Sequence, residues 1–108
     1  MIISGGENIY SVEVEQALYM HPAVLEAAVI SIPDDQWGEA VHAVIVCKPS
    51  RQVSSEELLA FAHTLIAGYK VPRSIEFRLE PLPKSGAGKI LKRELREPYW
   101  SAKSRNVN

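Results

Sequence analysis

The chain of 108 residues is short enough to form one domain, and 46% hydrophobic with 23% charged residues is typical of a soluble globular protein. A net charge of −1 argues against a dedicated nucleic-acid-binding protein. No apolar stretch approaches the ~20 residues of a membrane helix, and the first residues lack the form of a signal peptide, so we expect no integral membrane segment. The single cysteine, Cys47, is expected to be a buried thiol in a reducing compartment, which predicts a cytoplasmic protein.

The first half of the chain predicts, in order, a short strand, a helix and two longer strands, at Ile2–Ser4, Ser11–Met20, Ala23–Ile32 and Val41–Cys47. Two glycines directly after the first strand indicate a turn. The helix is indicated by the helical spacing of Val14, Ala17 and Leu18, and Pro22 ends it. The loop between the two longer strands is long for a hairpin and carries Trp37.

The second half predicts a helix, a strand, a glycine-rich loop and a short basic helix. Ser54 followed by Glu57 is a capping box, and it opens a helix with an apolar face of Leu58, Phe61, Ala62, Leu65 and Tyr69. Ser74–Leu79 alternate as a third strand, which would place Ile75, Phe77 and Leu79 on one face. Ile90–Glu97 are expected to form the basic helix, which Pro98 ends.

These elements predict an α+β fold. We expect a small three-stranded sheet that is covered on one side by two helices, with an accessory β-hairpin at the N-terminus. A glycine loop and a short helix complete the domain over residues 1–100. Residues 101–108 have little to bury and are expected to form a disordered tail.

The segment PKSGAGKILKR, residues 83–93, places a lysine directly after a flexible turn, which suggests that an anion is to be held. The nucleotide phosphate loop G-x-x-x-x-G-K-[ST] is excluded here. Pro83 stands where that motif has glycine, and Ile90 follows Lys89 where the motif has a hydroxyl for magnesium.

Two segments at opposite ends of the chain, SGGENIYSVEVEQAL and LPKSGAGKILKREL, closely resemble the two signature motifs of one family. The family is the C-terminal domain of adenylate-forming enzymes, which include acyl-CoA synthetases, peptide-synthetase adenylation domains and firefly luciferase. The resemblance covers residues 1–97. The segment DDQWGE is more similar to fatty-acyl- and aryl-CoA ligases than to peptide-synthetase domains.

The resemblance implies a two-step reaction. A carboxylic acid, expected to be a fatty or aromatic acid, attacks the α-phosphate of ATP to give an acyl adenylate and pyrophosphate. The thiol of CoA then displaces AMP to form a thioester. The chain would be a mobile lid that presents opposite faces to one active site. Its partner would be a large N-terminal ATP-binding domain that is absent here and that would hold Mg²⁺, so Met1 is interpreted as an internal methionine and this chain alone is expected to be inactive.

By the same resemblance, Lys89 is the catalytic lysine of adenylation, and Gly86 and Gly88 make its loop pliable. A solvated lysine in a basic tail is the alternative interpretation. The resemblance assigns the thioester step to the face formed by Gly5, Gly6, Glu7 and Asn8, which also fit an ordinary turn.

Three further residues are assigned to CoA in the same way. Trp37 matches a position that lines the thiol channel in some CoA ligases, although it would also suit a cap on the sheet edge. Tyr69 is expected to stack on the CoA adenine and Arg73 to pair with a phosphate, but the helical register of Tyr69 favours the core. Val71 stands where some relatives have a further arginine.

Other interpretations stay open. The acyl group would pass to a carrier-protein thiol if the acceptor is not CoA. A non-catalytic module that binds nucleic acid or anionic lipid would use a basic run of Lys84, Lys89, Lys92, Arg93 and Arg96. No metal site is predicted, because His21, His42 and His63 lack metal-ligand spacing, and His42 is expected to be an ordinary packed or surface residue.

Overall fold

The computed structural model describes the backbone of residues 1–107 and the side chains of residues 1–101. The elements, in chain order, are β1 (Ile2–Ser4), β2 (Glu7–Ile9), α1 (Ser11–Tyr19), β3 (Val24–Asp34), β4 (Gly38–Cys47), α2 (Ser55–His63), a 3₁₀ turn (Gly68–Lys70), β5 (Ser74–Arg78) and α3 (Lys92–Val107). Within these described residues, no helix has the length and apolar content needed to cross a membrane.

Strand β4 is the centre of a mixed sheet. It pairs antiparallel with β3 from Val24↔Cys47 to Asp34↔Gly38, and parallel with β5 on its other side. The β1–β2 hairpin joins the same edge as β5 through Ser4↔Gly38. The predicted three-stranded sheet with an accessory hairpin is therefore confirmed, and β3 and β4 are longer than the sequence indicated.

Both faces of the sheet are covered. On one face, α1 and α2 pack Leu18 and Leu58 against the buried strand residues Val29 and Ile45. On the other face, helix α3 packs Leu95 against a second buried cluster that includes Ala28, Ile30, Val44 and Leu82. The prediction of two covering helices on one side is correct for α1 and α2, but α3 adds a third layer that it did not include.

Helix α2 begins as predicted and ends early. The Ser54 hydroxyl accepts a hydrogen bond from the Glu57 N–H at 3.0 Å, which is half of the predicted capping box. The helix ends at His63, and the Thr64 hydroxyl donates to the carbonyl of Phe61. Because the chain leaves the helical path there, the predicted core position of Tyr69 is wrong: Tyr69 lies in the separate 3₁₀ turn and is 48% exposed.

The predicted apolar face of β5 is only partly buried. Ile75 packs against the core, but Phe77 is 41% exposed and Leu79, beyond the end of the strand, is fully exposed. The loop before α2 stands off from this end of β5 and leaves a groove of about 750 Å³, which Phe77 and Leu79 line together with Leu25. Cys47 also lines the groove and is half-buried, so the prediction of a buried thiol is wrong.

Helix α3 continues through Pro98, where the sequence predicted its end. Proline lacks the N–H that would bond to the carbonyl of Glu94, which weakens a helix interior. Contacts beyond the proline offset this loss: the Tyr99 hydroxyl donates to Glu76 at 2.8 Å, and the Trp100 Nε1 donates to the Ser31 carbonyl at 2.9 Å. Residues 101–107, for which the sequence predicts disorder, continue this helix, and Asn108 lies outside the described residues.

Candidate functional site

The Gly5–Gly6 turn joins β1 and β2 with a two-residue loop in which both φ angles are positive, at +58° and +84°. This is the geometry of a type I′ hairpin turn, which favours glycine at both positions. The N–H of Gly5 donates to the Trp37 carbonyl at 3.1 Å. A Cβ atom on Gly5 would lie 2.8 Å from Cζ3 of Trp37 and closer still to Cε3, so the indole occupies the space that a side chain would need.

Trp37 is half-buried in the turn between β3 and β4, where its N–H donates to Oδ1 of Asp34 at 2.8 Å. The guanidinium carbon of Arg73 lies 4.5 Å from the centroid of the indole, which is a cation–π contact. The structure therefore brings together Gly5, Trp37 and Arg73, three residues that the sequence analysis assigned to CoA. We call these three residues the tryptophan clamp. Glu7 is exposed on β2 nearby, as is Asn8.

Lys70 is a charged residue beside the exposed Tyr69 that the sequence analysis missed. Its ammonium donates to both carboxylate oxygens of Glu13, at 2.9 and 3.1 Å, and lies 5.6 Å from the Tyr69 ring centroid. The hydrogen bond to Glu13 raises the pKa of Lys70, although desolvation opposes it. The sequence held no signal of this pair, because 57 residues separate its members.

The glycine loop is a closed hairpin. An isolated antiparallel bridge joins Lys84 to Ile90, and the Ser85 N–H donates to the Lys89 carbonyl at 2.8 Å. Gly88 has φ +85°, as a tight reversal requires, and Gly86 lies in open space without a positive φ. The loop thus presents Lys89 at the end of a short, exposed hairpin.

The lysines around this hairpin have different environments. Lys84 forms an ion pair with Glu26, and Lys92 forms one with Glu15 at 2.7 Å. Lys89 is exposed, and no carboxylate in the part of the chain that the structure describes pairs with its ammonium. Two of the five cations of the proposed basic run are therefore engaged within the domain, which counts against a free basic patch.

Glu26 anchors the base of the hairpin. Its Oε1 accepts the N–H of Leu82 at 3.0 Å, and its other oxygen pairs with Lys84. Burial alone would raise the pKa of Glu26, but the hydrogen bonds from Lys84 and Leu82 and the Lys84 charge together lower the pKa below its ordinary value. The carboxylate therefore stays ionised and holds the hairpin to β3.

The hairpin and the tryptophan clamp lie at opposite ends of the sheet. Glu26, which holds the hairpin, pairs in register with Val46 near the end of β4, whereas Trp37 immediately precedes the start of β4 at Gly38. At about 3.3 Å per residue, these ends are roughly 26 Å apart. The structure therefore does not bring the hairpin of Lys89 and the tryptophan clamp into one site.

A partly buried polar network joins α3 to the sheet, and the sequence analysis did not find it. His42 is 4% exposed, and its Nδ1 lies 2.6 Å from the Ser74 hydroxyl while its Nε2 lies 3.1 Å from the Tyr99 hydroxyl. Tyr99 donates to Glu76, which also accepts from Arg78 at 2.6 Å. His42 is thus packed, one of the two alternatives that the sequence left open.

The ionisation of this network follows from its burial. Burial lowers the pKa of His42, although the carboxylate of Glu76 opposes the shift. Burial and the hydrogen bond to Glu76 raise the pKa of Tyr99 to about 12. Burial alone would raise the pKa of Glu76, but hydrogen bonds from Arg78 and Tyr99 bring the pKa below its ordinary value. The neutral imidazole of His42 and the neutral phenol of Tyr99 therefore lie beside the carboxylate of Glu76, which suits a structural link between α3 and the sheet.

Comparison with known proteins agrees with the fold. The sequence model of the AMP-binding enzyme C-terminal domain matches residues 13–89. Over 99 residues the chain is 52% identical to a feruloyl-CoA synthase of an Amycolatopsis species, and the match covers 92% of this chain and 20% of that protein. It is also 52% identical over 97 residues to a long-chain-fatty-acid–CoA ligase of Bacillus subtilis, with 90% and 17% covered.

A solved structure, a Mycobacterium tuberculosis fatty acyl CoA synthetase, has the same fold with a TM-score of 0.86 at 42% identity. That alignment covers 94% of this chain and 20% of the other. The chain belongs to the family of AMP-binding enzyme C-terminal domains, and both the predicted family and the predicted α+β class are confirmed. It spans about a fifth of the length of the relatives that it matches.

Proposed function

We propose that the chain is the C-terminal lid domain of an acyl-CoA synthetase, with residues 1–100 as the lid and Lys89 as the lysine of adenylation. The observation that carries the proposal is the contrast between Lys89, exposed without a carboxylate partner among the described residues, and its neighbours Lys84 and Lys92, which are both paired. An ammonium that is free of its own domain is able to enter a partner's active site.

The chemistry explains why a free lysine is useful there. A carboxylate and a triphosphate repel each other, and negative charge accumulates between them as the acyl adenylate forms. A lysine is a compact cation with three donors. At 4 Å and an effective dielectric constant of ~20, its contact with one negative charge contributes roughly 4 kcal/mol before desolvation is subtracted.

The second step, thioester formation, is proposed to use the tryptophan clamp at the other end of the sheet. The indole of Trp37 fills the space beside Gly5, whereas the space beside Gly6 is open, which would allow the thiol arm of CoA to pass close to the backbone there. The separation of the two ends supports a cycle in which the lid rotates between the steps, because the two ends are too far apart to enter one active site at the same time.

The proposal places ATP, the carboxylic acid and Mg²⁺ on a large N-terminal domain. Within the residues that the structure describes, no group of three or more His, Cys, Asp or Glu side chains suits a metal ion. The names of the relatives, a feruloyl-CoA synthase and a long-chain-fatty-acid–CoA ligase, favour an aromatic or fatty acid as the substrate and CoA as the acceptor. Cytoplasmic location stays a prediction.

The experiment is the variant Lys89→Ala in the intact enzyme. Because one preorganised charge is removed, we expect acyl-adenylate formation, measured as pyrophosphate release over a panel of fatty and aromatic acids, to slow by about 10²–10³-fold. Thioester formation from a supplied acyl adenylate is expected to stay near the wild-type rate.

Lys48→Ala, which removes another exposed lysine outside the hairpin, is the matched control and should leave both steps unchanged. An equal loss in both half-reactions of Lys89→Ala would contradict the assignment. Supplying either free CoA or a phosphopantetheinylated carrier protein as the acceptor separates the CoA ligase from the carrier-protein alternative.

A further inference from the structure

The backbone around Arg73 positions its side chain beside Trp37. Arg73 directly precedes β5, its N–H donates to the Val41 carbonyl at 2.8 Å, and the preceding Pro72 is buried. These contacts fix the start of its side chain beside the turn that carries Trp37. The guanidinium stacks over the indole at 4.5 Å, and in the described part of the chain no carboxylate pairs with it.

Three contacts hold Trp37 in place. Its backbone N–H donates to Oδ1 of Asp34, the six-membered ring of its indole lies against Gly5, and the guanidinium of Arg73 covers the face of the indole. The residues just before it, Asp35 and Gln36, are exposed. The contacts with Gly5 and Arg73 act directly on the ring and constrain its orientation.

We propose that Arg73 is a positioning residue for thioester formation, and that it acts through Trp37. By covering the indole it holds the ring against the Gly5–Gly6 turn, so that one wall of the passage for the thiol arm is preformed. This role rests on the proposed function. It differs from a direct pairing of Arg73 with a CoA phosphate, because it does not depend on whether the thiol carries a nucleotide.

The test supplies acyl adenylate to the intact enzyme and compares two acceptors, CoA and pantetheine, which has the thiol arm without the nucleotide. A cation–π contact made by an exposed guanidinium such as that of Arg73 is worth roughly a two- to fivefold change in an equilibrium. We therefore expect Arg73→Ala to lower kcat/KM by about two- to fivefold for both acceptors. In a Trp37→Ala background, Arg73→Ala should cause no further loss, because the residue through which it acts is gone.

A loss with CoA alone would overturn the proposal, because it would show that Arg73 binds the nucleotide directly. Additive losses in the double variant would also overturn it. Arg73→Lys keeps the charge but loses the planar stacking group, so it should recover little with either acceptor.

A measurement on the 108-residue chain is independent of activity. The sequence has two tryptophans, so the difference in emission between the chain and its Trp37→Phe variant isolates the signal of Trp37. Arg73→Ala should shift that emission to the red and increase its quenching by acrylamide. Unchanged emission would overturn the proposal. If the wild-type enzyme forms no thioester with either acceptor, the proposed function fails, and this role fails with it, whereas the emission still reports whether Arg73 holds the ring.

Discussion

At the scale of single residues, Gly5 and Gly6 have the same backbone requirement and different surroundings. Both have a positive φ, which costs a residue with a side chain roughly 1–2 kcal/mol. A Cβ atom on Gly5 would also overlap the indole of Trp37, whereas one on Gly6 would meet no described atom within 4 Å. The two glycines therefore separate the cost of backbone strain from the cost of crowding.

We predict that Gly5→Ala lowers the free energy of unfolding of the chain by about 3 kcal/mol and Gly6→Ala by about 1 kcal/mol. The first variant has both costs, because the indole must move away from residue 5 or the turn must distort. Urea denaturation of the two variants and the wild-type chain measures the difference. Equal losses would show that the indole of Trp37 moves aside at little cost in free energy.

At the scale of elements, α3 depends on tertiary contacts more than on its own sequence. Its interior contains Pro98, and its stable attachment comes from the buried Leu95, whose burial is worth about 1.5–3 kcal/mol, and from the network around His42. Because Tyr99 meets both His42 and Glu76, the helix and two strands share one set of polar groups. The attachment of α3 should therefore depend on pH.

The pKa of His42 is lowered by burial, so the unfolded chain, with an ordinary value near 6.5, binds a proton more readily than the folded chain. Stability is then complete above about pH 6.5 and falls as the pH drops below it. The lowered pKa of Glu76 affects the free energy of unfolding only below about pH 4.5, where protonation removes the stability that its carboxylate contributes. The range between pH 7 and pH 5 therefore reports on His42.

We predict that the free energy of unfolding falls between pH 7 and pH 5 with a slope below ~1.4 kcal/mol per pH unit, the limit for one proton. His42→Gln should have a flatter slope, even if its stability is lower throughout. Chemical denaturation at several pH values gives the slopes. His63→Gln, which changes an exposed ring, is the matched control and should keep the wild-type slope. A wild-type slope in His42→Gln would contradict the prediction.

At the scale of the whole molecule, the sheet holds two unlike ends apart. One end carries the hairpin that Glu26 anchors, and the other carries the tryptophan clamp. A rigid sheet with helices on both faces keeps their separation fixed, so the proposed function requires the domain to turn as a body to present first one end and then the other. Changes at each end should therefore affect different half-reactions of the intact enzyme.

We predict that Glu26→Gln slows acyl-adenylate formation by about tenfold, because a hairpin released from β3 holds Lys89 less accurately. Thioester formation from supplied acyl adenylate should be unchanged. Gly5→Ala should show the reverse pattern. Separate assays of pyrophosphate release and thioester formation measure both, and a variant that impairs the two steps equally would contradict the proposed assignment of one step to each end of the sheet.

Much of the fold was predictable because its signals are local. The Gly5–Gly6 turn, the Ser54 cap and the strands around β4 follow from residues within a few positions of one another. The predicted boundaries were wrong where distant contacts compete with local preference. Helix α3 crosses Pro98 because Tyr99 and Trp100 bind the sheet, and no local pattern contains those partners.

The sequence by itself determined the family, the α+β class and the two motifs, since these depend on the order and spacing of residues along the chain. Only the tertiary structure decided that Lys89, among the three lysines around the hairpin, has no carboxylate partner in the described residues, because Lys84 and Lys92 find their carboxylates 58 and 77 residues away. It also decided that Arg73 covers Trp37 and that the base of the hairpin and the tryptophan clamp lie at opposite ends of the sheet. Such pairings depend on how the strands fold back on one another, which brings together residues that the sequence keeps far apart.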